Sequence, residues 1–110
     1  MIHDIVIVGG GISGTYLSSL ISRERHSLLI VEKSKSVGGR LCSKPVGAGM
    51  ADYGCQVINP KSKQAITLTK KLFQNKLLRK SNIKELNDSF ICRYGLSKIP
   101  KYLSLGVPTL

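Results

Sequence analysis

The sequence lacks the residues and runs on which several classes of protein depend. Its 110 residues include no tryptophan, only three cysteines and only six acidic residues. Three cysteines with no C-x-x-C pair exclude a disulfide-rich scaffold and argue against a structural zinc site, so a reducing cytoplasm is the expected location. No apolar run approaches the roughly 18 residues of a membrane span. No basic segment precedes the first apolar one, so no signal peptide is predicted.

The scarcity of acids leaves a strong positive charge. Seventeen Lys and Arg residues against six Asp and Glu give a formal net charge of +11. Eleven of these basic residues but only two of the acids lie in residues 56–110. Few aromatics and no known nucleic-acid motif accompany them, so we interpret the lysines as a solvated helix face and expect no specific nucleic-acid partner. A nucleic-acid-binding function with a sequence preference is the alternative.

The first 32 residues alternate between two patterns. Residues 3–8 (HDIVIV) and 27–31 (SLLIV) contain short apolar runs without alternation, which predict parallel strands buried on both faces. Between them, a helix is predicted from Ile12 to about Arg23, because apolar residues recur there at helical spacing. These residues are Ile12, Tyr16, Leu17, Leu20 and Ile21. The predicted fold class is therefore α/β, beginning with a β-α-β unit of parallel strands.

Three glycines stand between the first strand and the helix, in the pattern Gly9-x-Gly11-x-x-Gly14. Gly9 permits a tight turn, Gly11 a close approach of the backbone to a pyrophosphate, and Gly14 close packing of the helix on the strand. The first helical turn, which includes Ile12 and Ser13, offers free N–H groups to phosphates. The pattern predicts a Rossmann-type dinucleotide-binding site that contains all five residues.

An acidic residue, Glu32, follows the second strand, 18 residues after Gly14. At this place a carboxylate accepts hydrogen bonds from the hydroxyls of an adenosine ribose, and it repels a 2′-phosphate, which disfavours NADP. We predict that Glu32 and the adjacent Lys33 contact the cofactor. This unit alone does not separate NAD from FAD.

A second glycine pair, Gly38-Gly39-Arg40, follows Glu32 by six residues. With this pair the sequence resembles the flavin-containing amine oxidase superfamily, in which the loop continues the cofactor site. The resemblance implies FAD as the cofactor, with NAD as the alternative. It also implies that Gly39 and Arg40 contact the cofactor, Arg40 through a planar guanidinium that is always charged.

Two later stretches extend the resemblance. Residues 51–56 (ADYGCQ) resemble the ADxGAQ stretch of renalase-like FAD-dependent oxidoreductases, which implies that Gly54 and Gln56 lie near the flavin ring. Residues 95–103 (GLSKIPKYL) resemble a turn and helix in the substrate domain of the same family. The implied activity is an oxidoreductase in which a small-molecule substrate gives a hydride to the flavin.

The remaining segments lead from the predicted cofactor-binding region into the start of a truncated substrate domain. Residues 41–51 predict an irregular or hairpin-like passage, and residues 52–58 a short strand or a bent loop. Asn59-Pro60 offers an N-cap for a lysine-rich helix over residues 61–79. A strand over residues 89–93 and a short helix over residues 98–103 complete the prediction.

Two regions are therefore expected: an FAD-binding β-α-β region over residues 1–58 and a lysine-rich partial substrate region over residues 59–110. Members of the resembled family are several times longer than this chain. The resemblance thus implies a fragment that lacks its C-terminal half and does not catalyse alone. An NAD-binding Rossmann protein or a non-catalytic nucleotide-binding module is the alternative. We nominate no catalytic acid, base or metal ligand.

Overall fold

A computed structural model describes residues 2–81 and 89–110. The described chain forms two compact units, Met1–Leu41 with Ile99–Leu110, and Cys42–Lys98. In chain order the elements are β1 (Ile5–Val8), α1 (Ile12–Leu20), β2 (Leu28–Val31), β3 (Ser43–Val46), β4 (Gly49–Asp52), α2 (Lys63–Gln74), β5 (Leu78–Lys80), β6 (Phe90–Cys92) and α3 (Lys98–Leu103).

The first unit is a parallel β-α-β arrangement, which confirms the predicted fold class. Strands β1 and β2 run in parallel, with Ile5 opposite Leu28 and Val8 opposite Val31, and α1 connects them. The core of this unit consists of apolar side chains from both strands and from two later segments. They are Ile7, Leu28, Ile30, Val37 and Val107.

The prediction that β1 is buried on both faces is wrong. Ile7 is buried, whereas Val6 and Val8 are 50% and 83% exposed. Successive side chains of a strand point to opposite faces of a sheet. The described residues therefore cover the face of β1 that carries Ile7 and leave the face of Val6 and Val8 open to solvent.

Helix α1 differs from its prediction in length and in its buried face. It ends at Leu20, and its buried residues are Thr15 and Ser18 rather than the predicted apolar set, of which Leu17 and Leu20 are exposed. Both hydroxyls are satisfied inside the helix, because Thr15 Oγ1 donates to the carbonyl of Gly11 (2.8 Å) and Ser18 Oγ to that of Thr15 (2.7 Å). Small hydroxyl residues that bond to their own helix can be buried without an unsatisfied polar group.

Residues 108–110 pair in parallel with the free edge of β2, which the sequence did not predict. Ile30 N donates to Pro108 O (3.0 Å), Leu110 N to Ile30 O (2.8 Å) and Glu32 N to Leu110 O (2.9 Å). The preceding Val107 belongs to the core. Strand β2 therefore lies between β1 and the extended residues 108–110.

The second unit contains two antiparallel strand pairs. Strands β3 and β4 form a hairpin in which Ser43 lies opposite Asp52, and β5 pairs with β6. This confirms the hairpin-like passage and the strand predicted over residues 89–93. Residues 53–57 form no strand, and Ile58 makes an isolated bridge to Phe90. The short helix predicted over residues 98–103 is α3.

The predicted boundaries of α2 are wrong at both ends. The N-cap is Ser62, whose Oγ accepts a hydrogen bond from Ala65 N (3.1 Å), and Asn59 lies outside the helix. At the other end Lys76 has a φ of +62°, a left-handed conformation that typically terminates helices. Leu78 belongs to β5 rather than to the helix. The sequence did not separate the two possibilities, because a short apolar run fits a buried strand as well as a helix.

Several features are absent from the described part of the chain. None of its helices is long and apolar enough to cross a membrane. No three His, Cys, Asp or Glu side chains within residues 2–81 and 89–110 are grouped so that they could hold a metal ion. The three cysteines form no disulfide.

Candidate dinucleotide-binding site

The turn from β1 into α1 has the geometry that a glycine loop allows. Gly9 has a φ of +99°, a conformation that L side chains rarely adopt, and its N–H donates to Val31 O (2.7 Å). A Cβ at Gly14 would overlap the carbonyl oxygen of Gly9 and approach Ile7 Cγ2 to 3.1 Å. The helix therefore lies against the strand at a distance that only glycine permits.

The N-terminus of α1 is open. Gly11 is the N-cap, no side chain caps the helix, and its first turn contains no acid. A Cβ on Gly11 would meet no atom within 4 Å. The first N–H groups of a helix have no acceptor within it, and Ile12 and Ser13, which carry two of them, are exposed. Open space before free N–H groups at a positive helix end fits a phosphate.

The Glu32 carboxylate is fixed beside this loop. Oε1 accepts a hydrogen bond from Gly10 N (3.0 Å), and Oε2 accepts one from Ser34 N (2.6 Å). These two N–H donors, Gly10 first, hold the pKa of Glu32 below its ordinary value. The carboxylate is therefore charged at neutral pH, and it keeps acceptor capacity for a hydroxyl group beyond the bonds from Gly10 and Ser34.

The second glycine pair packs against the first loop. Gly38 N donates to Gly10 O (2.8 Å). Gly39 has a φ of +57°, and a Cβ there would lie 3.2 Å from the Cα of Gly11. The two glycine motifs, separated in the sequence by residues 15–37, thus form one surface in the first unit.

The first unit brings most of the predicted cofactor residues together. They are Gly9, Gly11, Ile12, Ser13, Gly14, Glu32, Lys33, Gly39 and Arg40. Lys33 and Arg40 are exposed beside Glu32 and Gly39 respectively. Gly54 and Gln56 belong to the second unit, where both are exposed. That these residues contact a cofactor stays a prediction.

Two residues that support the site, Gly10 and Ser34, were not singled out from the sequence. Gly10 is buried and binds both Glu32 and Gly38 through its backbone, and a Cβ there would lie 2.8 Å from Val37 Cγ1. Ser34 supplies the second N–H to the carboxylate. The sequence contained one indication that Gly10 matters, because it completes the run Gly9-Gly10-Gly11.

Comparison with known proteins agrees with this geometry. The family model described as NAD(P)-binding Rossmann-like domain matches residues 7–72. An uncharacterized protein from the nifH2 3′ region of Methanothermococcus thermolithotrophicus is 32% identical over 96 residues, which cover 87% of this chain and 90% of that protein. The flavin-containing amine oxidase A of Bos taurus is 30% identical over 70 residues. Those residues cover 63% of this chain but only 13% of the bovine enzyme.

Among solved structures, a double mutant of putrescine oxidase made by redesign of cofactor binding is similar, with a TM-score of 0.55 and 27% identity. The match covers 70% of this chain and 16% of the oxidase. The chain thus spans a small part of these enzymes, and the family match over residues 7–72 includes the glycine loop. It belongs to the family of NAD(P)-binding Rossmann-like domains, and its N-terminal part is related to the flavin-containing amine oxidases.

Proposed function

We propose that this chain binds FAD and is the cofactor-binding part of an amine oxidase-like oxidoreductase. The arrangement around Gly11 supports this proposal most directly. Open space lies before Gly11 at an uncapped helix end, and the charged Glu32 carboxylate is bonded to the adjacent Gly10. A diphosphate fits the helix end, and the ribose hydroxyls of an adenosine fit the carboxylate. In this proposal the N–H groups of Ile12 and Ser13 hold the diphosphate.

One observation supports a dinucleotide of either kind, and a second favours FAD over NAD. The approach of Gly39 to Gly11 joins the Arg40 loop to the phosphate site, so a permanent positive charge adjoins that site. The bovine relative contains a flavin by name, and a flavin carried on a dinucleotide-binding fold is FAD. NAD is the alternative ligand, because the β-α-β unit serves both dinucleotides.

The proposed reaction requires more polypeptide than this chain. FAD, when bound, supplies a flavin ring that accepts a hydride from a substrate. In this proposal the described residues of the first unit bind the adenosine and diphosphate half of the cofactor. None of them is proposed as the acid or base of the reaction. Because the exposed face of β1 carries Val6 and Val8, we propose that a further polypeptide covers it in the active enzyme. Membership of the renalase-like branch stays a prediction.

Calorimetric titration of the purified chain with FAD, FMN and NAD tests the cofactor. We expect FAD to bind and FMN, which lacks the adenosine half, not to bind. In Gly11→Ala a methyl group fills the phosphate space without touching protein atoms, so FAD affinity should fall at least about tenfold while the melting temperature stays unchanged. Gly49→Ala, whose new Cβ would lie 3.8 Å from Val46 O, is the matched control.

Each part of the proposal has its own contrary result. Binding of NAD without binding of FAD would favour the alternative ligand. Full affinity of Gly11→Ala for FAD would show that the glycine loop is not the site. Amine-dependent bleaching of the flavin absorbance by this chain alone would refute the need for a further polypeptide.

A further inference from the structure

A second concave site lies wholly within the unit Cys42–Lys98. It is a cleft of about 480 Å³ between the β3–β4 hairpin and the segment that joins β6 to α3. The side chains that give it its chemistry are Met50, Asp52, Cys92, Arg93, Tyr94 and Lys98. The volume falls within the range of small-molecule sites, which is roughly 300–1,000 Å³.

The two walls of this cleft are held together by a polar network. Asp52 Oδ1 accepts hydrogen bonds from Ser43 Oγ (2.6 Å) and from Leu96 N (2.8 Å). Ser43 Oγ in turn accepts one from Ser97 N (3.0 Å). Gly95 has a φ of +92°, and a Cβ there would come within 2.8 Å of Ser43 Oγ. The hairpin and the turn at Gly95 are therefore fixed to each other, and a fixed site binds without the entropy cost of ordering its walls.

The charge of the cleft is positive. The Asp52 carboxylate binds both donors of the network through Oδ1, so the two cations of the cleft stand against one negative charge. Arg93 and Lys98 are exposed, and within the described residues no hydrogen bond or ion pair engages either side-chain cation. The cleft therefore offers two cations and one carboxylate that is already bonded.

Each side of the cleft also contributes an apolar side chain. The Met50 side chain is 46% exposed and the Tyr94 side chain 57% exposed, one on each side of the cleft. An aromatic ring and a thioether give a flat, polarizable surface that suits a planar apolar group.

The cysteine in this cleft is not suited to covalent chemistry. Cys92 Sγ lies 2.9 Å from Gly95 O and 3.2 Å from Leu77 O, where it acts as a donor. Burial, the largest influence, raises the pKa of the Cys92 thiol. The protonated thiol is a poor nucleophile and a poor metal ligand, so the cleft is suited to binding rather than to a covalent step.

We propose that this cleft binds a small organic anion with a planar apolar body, such as an aromatic carboxylate or an aromatic phosphate ester. Arg93 and Lys98 bind the anionic group, which charge-assisted hydrogen bonds favour. Met50 and Tyr94 contact the apolar body. This site is independent of the dinucleotide site proposed for the first unit.

The test uses benzoate and phenyl phosphate as probes, with phenol and inorganic phosphate as half-ligands. Each is titrated into the full, isotopically labelled chain, and amide chemical shifts are followed. We expect the two complete probes to shift the amides of residues 49–52 and 92–98 and to bind about tenfold or more tightly than either half-ligand. The stronger of the two probes then identifies carboxylate or phosphate as the preferred group.

Substitutions at the cations separate specific binding from general attraction to a basic protein. Lys98→Met and Arg93→Met should each weaken the preferred probe about tenfold, whereas Lys61→Met, an exposed lysine outside the cleft, should leave its affinity unchanged. The Gly11→Ala variant should also bind the probe normally. The proposal is refuted if the shifts occur elsewhere, if phenol binds as well as phenyl phosphate, or if Lys61→Met weakens the probe as much as Lys98→Met.

Discussion

Single residues in the glycine loop have different physical duties, and substitutions can separate them. Gly14 is a packing position, because a Cβ there would overlap the Gly9 carbonyl and crowd Ile7. We expect Gly14→Ala to lower the free energy of unfolding by about 1–3 kcal/mol, as overpacking typically does. Urea denaturation measures the change, with Gly49→Ala as the control in uncrowded backbone. Equal stability of both variants would contradict the close contact between α1 and β1.

Glu32 gives the fold an acid-sensitive contribution. Its pKa in the folded chain lies below the ordinary value of 4.5 because Gly10 N–H and Ser34 N–H bond to the carboxylate. A lowered folded pKa means that stability is fully present above the unfolded pKa and is lost as the pH falls through the folded one. We therefore expect Glu32→Gln to reduce the loss of urea resistance on acidification from about pH 6 to 3.

A control and a second carboxylate complete that measurement. Glu24→Gln, which removes an exposed carboxylate between α1 and β2, is the control for the same chemical change elsewhere in the first unit. Asp4 should contribute with the same sign, because the Ser27 backbone N–H, which donates to Asp4 Oδ2 (2.8 Å), lowers the pKa of Asp4. An acid limb that Glu32→Gln leaves intact would mean that the carboxylate is not bonded in solution.

For single residues, the sequence predicts which glycines the backbone requires better than it predicts which groups a side chain contacts. The turn at Gly9 and the close packing at Gly14 follow from glycine's missing Cβ, which is a local property of the motif. The bond from Gly10 to Glu32 joins residues distant in sequence, and it depends on the register of two strands. The burial of Thr15 and Ser18 could not be predicted from hydropathy, because their hydroxyls are satisfied within the helix.

Among the elements, α2 depends on a cap that the sequence prediction misplaced. Ser62 Oγ accepts the Ala65 N–H, whereas Asn59 is exposed and precedes the helix. We expect Ser62→Ala to lower the free energy of unfolding by about 0.5–2 kcal/mol and Asn59→Ala to have no capping effect. Thermal or urea unfolding compares the two, and amide exchange at Ala65 should accelerate only in Ser62→Ala. A larger effect of Asn59→Ala would restore the original helix boundary.

Elements with strong local patterns are predicted from sequence, and those defined by partners are not. Strands β1 and β2, the β3–β4 hairpin and α3 follow from apolar runs, glycines and helical spacing. The run that contains Leu78 is a strand because β6 pairs with it. Residues 108–110 are extended because β2 offers an unpaired edge. Periodicity carries no information on either partner.

For the whole molecule, the net charge of +11 predicts salt-dependent attraction to polyanions without sequence recognition. We expect the chain to bind duplex DNA weakly, with an affinity that falls linearly with salt on logarithmic axes. Competition between two duplexes of equal length and unrelated sequence should show no preference. Retention of one duplex over the other at physiological salt would revive a specific nucleic-acid function, for which the positive charge alone gives no basis.

The division of the chain into a discontinuous unit and an inserted one sets an order of folding. The second unit consists of consecutive residues, Cys42–Lys98, and its strand pairs close between near neighbours in sequence. The first unit also includes residues 99–110, and Thr109 among them pairs with Ile30 of β2. Long-range closure is slow because loop entropy must be overcome first. During synthesis this edge of β2 therefore has no partner until residues 108–110 have been made, long after the strand pairs of the second unit can form.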